Sequence, residues 1–209
     1  MITVKNLTKK FNDNIVLDDV SVEFKEGKIY GLIGRNGSGK SVFLKLLCGF
    51  YNPNSGSILY DNIDICKSLT FPPDTRCMIE KPDFISELTG FENLRMLAKI
   101  QNRINDEKIL QTMEEVNLHK EIYKPFYAYS LGSRQKLGIA QVLMENPKVI
   151  ILDEPFNGIE ASTTALLREK LKEEKKQGKI IIIATHMKED IENLVDDIYE
   201  FSDGKLNKK

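Results

Sequence analysis

Residues 34–41, Gly34-Arg35-Asn36-Gly37-Ser38-Gly39-Lys40-Ser41, set glycines, a lysine and a hydroxyl at a spacing that suits phosphate chemistry. Glycines let consecutive backbone N–H groups turn inward around a β-phosphate, and the helix that follows adds its partial positive charge. Lys40 then reaches the β- and γ-phosphates, and the Ser41 hydroxyl is a ligand for Mg²⁺. Arg35, Asn36, Ser38 and Val42 complete the set expected to line the phosphates. The run Ile29-Tyr30-Gly31-Leu32-Ile33 reads as the buried strand that feeds such a loop, so the segment predicts binding of a nucleoside triphosphate.

A phosphate loop needs an acidic partner for its metal, and Val149-Ile150-Ile151-Leu152-Asp153-Glu154 supplies one. Four apolar residues bury a strand and deliver Asp153 to its carboxyl end, where open α/β sheets bind ligands. Asp153 is expected in the Mg²⁺ shell, directly or through water. Glu154 is placed to polarise a water for in-line attack on the γ-phosphate. A further segment, Tyr129-Ser130-Leu131-Gly132-Ser133-Arg134-Gln135-Lys136-Leu137-Gly138-Ile139-Ala140, reads on its own as a helix start capped by Ser130.

These groups must be carried by a framework. Short strands are predicted at residues 2–7, 20–24, 29–33 and 57–60, with breaks at 26–27 and 52–56. A helix runs from residue 40 to about 48 and closes on Gly49, and a further strand covers about 77–79. Helical spacing over 90–101 and 106–117 predicts an all-helical insert. Strand 149–152, helix 161–176, strand 179–184, helix 188–195 and strand 197–201 follow, a mostly parallel sheet with crossover helices. The Lys- and Glu-rich stretch 170–179 reads as a solvated helix face and residues 207–209 as a frayed tail.

Composition excludes other classes. Lys and Arg number 30 against 31 Asp and Glu, so no overall field favours nucleic acid or anionic lipid. No apolar run approaches the ~20 residues of a membrane span. The 209 residues suit one large α/β domain with an inserted subdomain. The start Met1-Ile2-Thr3-Val4-Lys5 alternates like a strand and lacks the form of a signal peptide, which predicts a cytoplasmic chain. Cys48, Cys66 and Cys77 lack a Cys-x-x-Cys pair and read as structural thiols rather than a disulfide or zinc framework.

The order of the motifs, 34–41, then 129–140, then 149–154, resembles the nucleotide-binding domain of ATP-binding cassette (ABC) transporters over essentially the whole chain. The resemblance implies an α/β fold: a RecA-like P-loop core, an N-terminal antiparallel β subdomain and an inserted α-helical subdomain. Core and β parts are expected at about 1–86 and 148–209, and the helical part at about 87–147. It implies ATP and Mg²⁺ as ligands, with Lys40, Glu154 and His186 as the catalytic set. Phe11 looks like the aromatic that stacks on adenine, and His186 like the switch histidine that contacts the γ-phosphate and the attacking water. Ser130 and Gly132 resemble the signature residues that contact the γ-phosphate held by an opposite subunit, so two cassettes are implied, head to tail around two ATP. Asn157-Gly158-Ile159-Glu160 corresponds to the D-loop.

The chain departs from the family pattern at several points. Glu80 stands where the family usually has Gln; it can serve a Mg²⁺ shell but, when ionised, cannot donate hydrogen bonds. Glu160 replaces the common Asp, a change expected to weaken contact across the dimer, and Leu131 and Ser133 stand where Gly and Gln are usual. Residues 78–82, 88–94 and 129–132 together resemble single-cassette ATPases of bacterial exporters, of the kind that remove antimicrobial peptides such as lantibiotics and bacitracin. By that resemblance the partners are a second cassette, identical or not, and an integral membrane permease whose coupling helix enters a groove near residues 84–93. The chain would then sit peripherally on the inner face of the cell membrane and drive export of a peptide, drug or similar amphipathic cargo. A soluble ABC-type ATPase acting on ribosomes or nucleic acid is the alternative; such relatives carry paired cassettes or a long coiled-coil insertion, and neither is present. An unrelated P-loop kinase or GTPase leaves residues 129–140 unexplained, and no Asn-Lys-x-Asp run reads guanine.

Overall fold

Strand β1 (Ile2–Phe11) folds back as β2 (Asn14–Phe24) through Asn12-Asp13, with Phe11 paired to Asn14 and Asn12 at φ 52°. Asn tolerates that left-handed backbone, which is why the hairpin turns there. The computed structural model describes residues 1–68 and 70–209. Strands β4 (Ser55–Tyr60) and β5 (Ile63–Asp64) complete an antiparallel sheet in the order β2-β1-β4-β5. The second sheet contains β3 (Lys28–Gly34), β6 (Thr75–Met78), β7 (Val149–Asp153), β8 (Ile180–Ala184), β9 (Asp197–Ser202) and β10 (Lys205–Lys208), in the order β10-β9-β3-β8-β7-β6. Its pairings are parallel except that of β10 with β9.

Every residue of β7 and β8 is buried, as expected of parallel strands covered on both faces. Side chains of successive strand residues point to opposite faces. Val149, Ile151, Ile180 and Ile182 therefore join one apolar layer, with Phe43 and Leu44 of α1 (Lys40–Leu47) and Leu7 and Phe24 of the antiparallel sheet. Ile150, Leu152, Ile181 and Ile183 join the other, with helices α3 (Gly90–Gln101), α4 (Asp106–Glu115), α5 (Leu131–Leu143) and α6 (Ala161–Lys176). Helices α2 (Ile65–Ser68) and α7 (Lys188–Asn193) are short. A capping box opens α3: the Thr89 hydroxyl accepts from the Glu92 N–H, and the Glu92 carboxylate accepts from the Thr89 N–H.

The predicted elements are present, with shifted limits and two corrections. The tail is not frayed. Asp203 and Gly204, both at positive φ (50° and 76°), make a two-residue hairpin turn that returns Lys205–Lys208 onto β9. Lys208 then pairs with Asp197 at 2.6 Å. The stretch 170–179 is not simply solvated either. Glu174 and Lys179 are buried and bonded to each other, Lys179 Nζ also donates to Asn146 Oδ1 at 2.5 Å, and Lys170 reaches Glu115 at 2.9 Å.

Candidate active site

The phosphate loop is the connection between β3 and α1. Gly39 caps the helix at φ 103°, and a Cβ there would lie 2.9 Å from Leu17, so only glycine serves. Lys40 is buried, and its Nζ donates to the carbonyls of Gly34 (2.7 Å) and Arg35 (3.2 Å). Ser38 Oγ is buried with no hydrogen-bond partner among the described residues. A buried ammonium and an unpartnered hydroxyl beside a helix N-terminus fit an anion.

Ser41 follows β3, whereas Asp153 ends β7, with β8 between them in the sheet. The two meet all the same: Ser41 Oγ donates to Asp153 Oδ2 at 2.7 Å. One hydroxyl and one carboxylate are hard oxygen donors of the kind Mg²⁺ takes when phosphates and waters fill the rest of its shell, so this pair fits that ion. Glu154 follows at φ 48°, fixed by its N–H to the Ala184 carbonyl (2.8 Å) and by Gln135 Nε2 donating to its own carbonyl (2.9 Å). Glu154 Oε1 lies 2.8 Å from His186 Nδ1, while Oε2 is buried and has no partner among the described residues. A buried carboxylate oxygen without a partner is one that a water admitted to the site would satisfy, and to which that water could give its proton.

Phe11, residues 36–42, Glu80, Asp153 and Glu154 line one cavity of about 780 Å³, together with Leu131 and Gln135. Gly34 and Arg35 line a neighbouring concavity of about 640 Å³. Phe11 is 41% exposed and rests edge-on against Tyr51 at 5.6 Å, with Lys9 Nζ 5.0 Å from its ring centre. Glu80, itself at φ 66°, directs Oε1 to Lys45 Nζ at 2.5 Å. Lys45 lies one turn beyond Ser41 on α1, and its hydrogen bond to Glu80 pushes the ammonium's pKa up.

Ser130 and Gly132 are not on that cavity's wall. Ser130 is exposed and caps α5, its Oγ accepting from the Ser133 N–H at 3.1 Å. Gly132 is buried beneath residue 158: a Cβ on it would sit 2.4 Å from the Gly158 carbonyl oxygen. The added length of Glu160 is absorbed within the chain, where its Oε1 accepts from Thr163 Oγ1 (2.6 Å) and lies 3.6 Å from Lys136 Nζ. Lys45, Tyr51, Gln135 and Lys136 were missed by sequence reasoning. Gln135 and Lys136 are buried polar residues in a helix that is buried along most of its length, which their sequence spacing did not signal.

A parallel sheet with a phosphate loop and an acidic strand end at its carboxyl edge defines a P-loop nucleotide-binding protein. The family model described as ABC transporter matches residues 17–157. The chain is 40% identical over 206 residues to an uncharacterized ABC transporter ATP-binding protein, YybJ of Bacillus subtilis, covering 99% of this chain and 94% of that protein. It is 36% identical to the bacitracin transport ATP-binding protein BcrA of Enterococcus faecalis (99% and 68% covered). To the lantibiotic transport ATP-binding protein SrtF of Streptococcus pyogenes it is 32% identical (99% and 89% covered). Among solved structures, an ATP-binding subunit of an ABC transporter superposes with a TM-score of 0.92 at 27% identity, covering 100% of this chain and 89% of that one. The chain belongs to the ABC transporter family as an ATP-binding, ATP-hydrolysing cassette. No helix among the described residues is long and apolar enough to cross a membrane.

Proposed function

We propose that this cassette is the motor of a membrane exporter, working as a head-to-tail pair around two Mg-ATP and driving a separate permease that carries a peptide or similar amphipathic cargo. The observation that carries the paired state is the position of Ser130, an exposed helix cap off the wall of its own chain's cavity and so accessible to another's. The cargo class rests on the bacitracin and lantibiotic transport proteins among the relatives. Localisation on the inner face of the cell membrane follows from the permease, and no nucleic-acid partner is part of this reading.

Within each cavity, Phe11 stacks on adenine, residues 34–42 hold the phosphates, and Lys40 turns from the loop carbonyls to the β/γ oxygens. Ser41 and Asp153, with Glu80 beside them, would hold Mg²⁺, which neutralises charge developing on the phosphates. Glu154 takes the proton of the attacking water through Oε2, and His186, bonded to Oε1, keeps that carboxylate aimed. Ser130 and Gly132 of the facing cassette complete the site.

Glu154→Gln should nearly abolish hydrolysis while MgATP still binds, and should trap a dimer visible by sedimentation. Specific ATPase activity of the unaltered chain should rise with protein concentration. Full activity from a dilute monomer would overturn the composite site.

A further inference from the structure

His186 is held by little of its own. Its side chain is 66% exposed, and its one hydrogen-bond partner among the described residues is Glu154. The backbone around it is anchored more deeply. Asp190, in the first turn of α7, is wholly buried and receives three bonds: from Arg168 Nε at 2.9 Å and Nη2 at 2.6 Å on Oδ1, and from the Thr185 hydroxyl at 2.8 Å on Oδ2. That Thr185 oxygen accepts in turn from the Met187 N–H at 3.1 Å. The residues on either side of His186 are thus tied to one hydroxyl, and that hydroxyl to one carboxylate. Arg168 has two further attachments: Nη1 donates to Glu189 Oε2 at 3.1 Å, and the guanidinium carbon lies 5.7 Å from the ring centre of Phe156, two residues beyond Glu154.

Helix α7 has six residues and no side-chain cap, so it cannot hold this loop by its own stability. A buried ion pair is, in general, replaceable by apolar side chains at little or no cost in stability, which argues for a geometric role here. We propose that Arg168 and Asp190 are positioning residues for ATP hydrolysis: their fork sets Thr185, and with it the loop that keeps the His186 imidazole on Glu154. The same guanidinium, stacked on Phe156, ties the two halves of the pair to α6. The proposal rests on Glu154 and His186 forming the hydrolytic pair, and the test separates the two ideas.

The chain has 2 histidines, so the ring resonances of His186 are assigned by comparison with His119→Gln. In the full-length chain, Glu154→Gln should shift those resonances. In Arg168→Gln and in Asp190→Asn that response should fall by more than about half, the signature of coupling through a shared network. Turnover should drop about tenfold to a hundredfold, as for a displaced catalytic group, with the KM for ATP within about threefold. Arg168→Lys, which keeps the charge without the fork, should recover part of both. A full response of His186 to Glu154→Gln in both variants would overturn the proposal, as would turnover within about twofold of the unaltered chain. Loss of folding in all three variants would assign the pair to stability alone and overturn it too. If Glu154→Gln itself leaves hydrolysis intact, the hydrolytic reading fails, while the resonance comparison still decides the positioning.

Discussion

Replacing Gly132 with alanine puts a methyl group 2.4 Å from the Gly158 carbonyl oxygen, and the two backbones must part by about 0.6 Å to reach even 3.0 Å. Neither side yields easily. Gly132 opens α5, which is anchored by Leu137, Ile139 and Ala140 in the apolar layer, and residues 158–160 are held by the Ile159 N–H to the Phe156 carbonyl and by Glu160 near Lys136. Overpacking of this kind costs about 1–3 kcal/mol. With a urea dependence of about 2–3 kcal/mol/M, the unfolding midpoint should fall by roughly 0.3–1.5 M. Gly178→Ala is the control: it has a left-handed backbone at φ 86° and nothing within 4 Å, so it bears only the conformational strain of about 1 kcal/mol. Both variants should bind MgATP normally, since neither glycine lines the cavity, but only Gly132→Ala should lose ATPase activity, because the displaced segment adjoins Glu154. A Gly132→Ala chain that unfolds at the unaltered midpoint would refute the steric reasoning. The unfolding midpoint reports on Gly132 in its own chain, whatever contact is proposed for it with a facing cassette.

Two other outcomes follow from charges around the site. Lys45→Met leaves Glu80 as an unneutralised carboxylate on the wall it shares with Asp153 and Glu154; ATP without Mg²⁺ should bind about threefold to tenfold more weakly, with stability changed by less than about 1 kcal/mol because Glu80 is 64% exposed. The double variant with Glu80→Gln should regain affinity in a titration, and no regain would make the pair irrelevant to the cavity. The Glu160 carboxyl is held below its usual value of 4.5 by the Thr163 hydroxyl, then by its own backbone N–H, and less by Lys136. Its contribution to stability is present above pH 4.5 and lost as pH falls through the lowered folded value, since there the unfolded chain takes up the proton first. The advantage of the unaltered chain over Glu160→Gln in thermal unfolding should therefore shrink as pH falls from 4.5 through the lowered value; an advantage that grows would contradict the assignment.

What could be read from the sequence was local. Residues 34–41 and 149–154 declare themselves because loop, helix start and buried strand are contiguous in the chain, and the capping box at Thr89 and Glu92 is a four-residue pattern. The Asp203-Gly204 turn is a local pattern of the same kind, but reading residues 207–209 as a frayed tail passed over it. Contacts between distant segments were not legible. That Glu80 meets Lys45, that Gly132 lies under Gly158, and that Asp190 meets Arg168 depend on which helix packs over which loop, and no spacing rule encodes that. The misreading of residues 170–179 has the same origin, because charge content says nothing about Asn146 and Glu115 waiting on neighbouring elements.

The alternation along β8 gives adjacent residues separate mechanical allegiances. Ile180 and Ile182 belong to the layer that includes α1 and the antiparallel sheet, whereas Ile181 and Ile183 belong to the layer of α3 to α6. The sheet is thus a bulkhead between two oily compartments. Volume gained or lost against Ile181 and Ile183 is taken up in a layer separate from the one that holds Phe43 and Leu44 of α1, behind the phosphate loop.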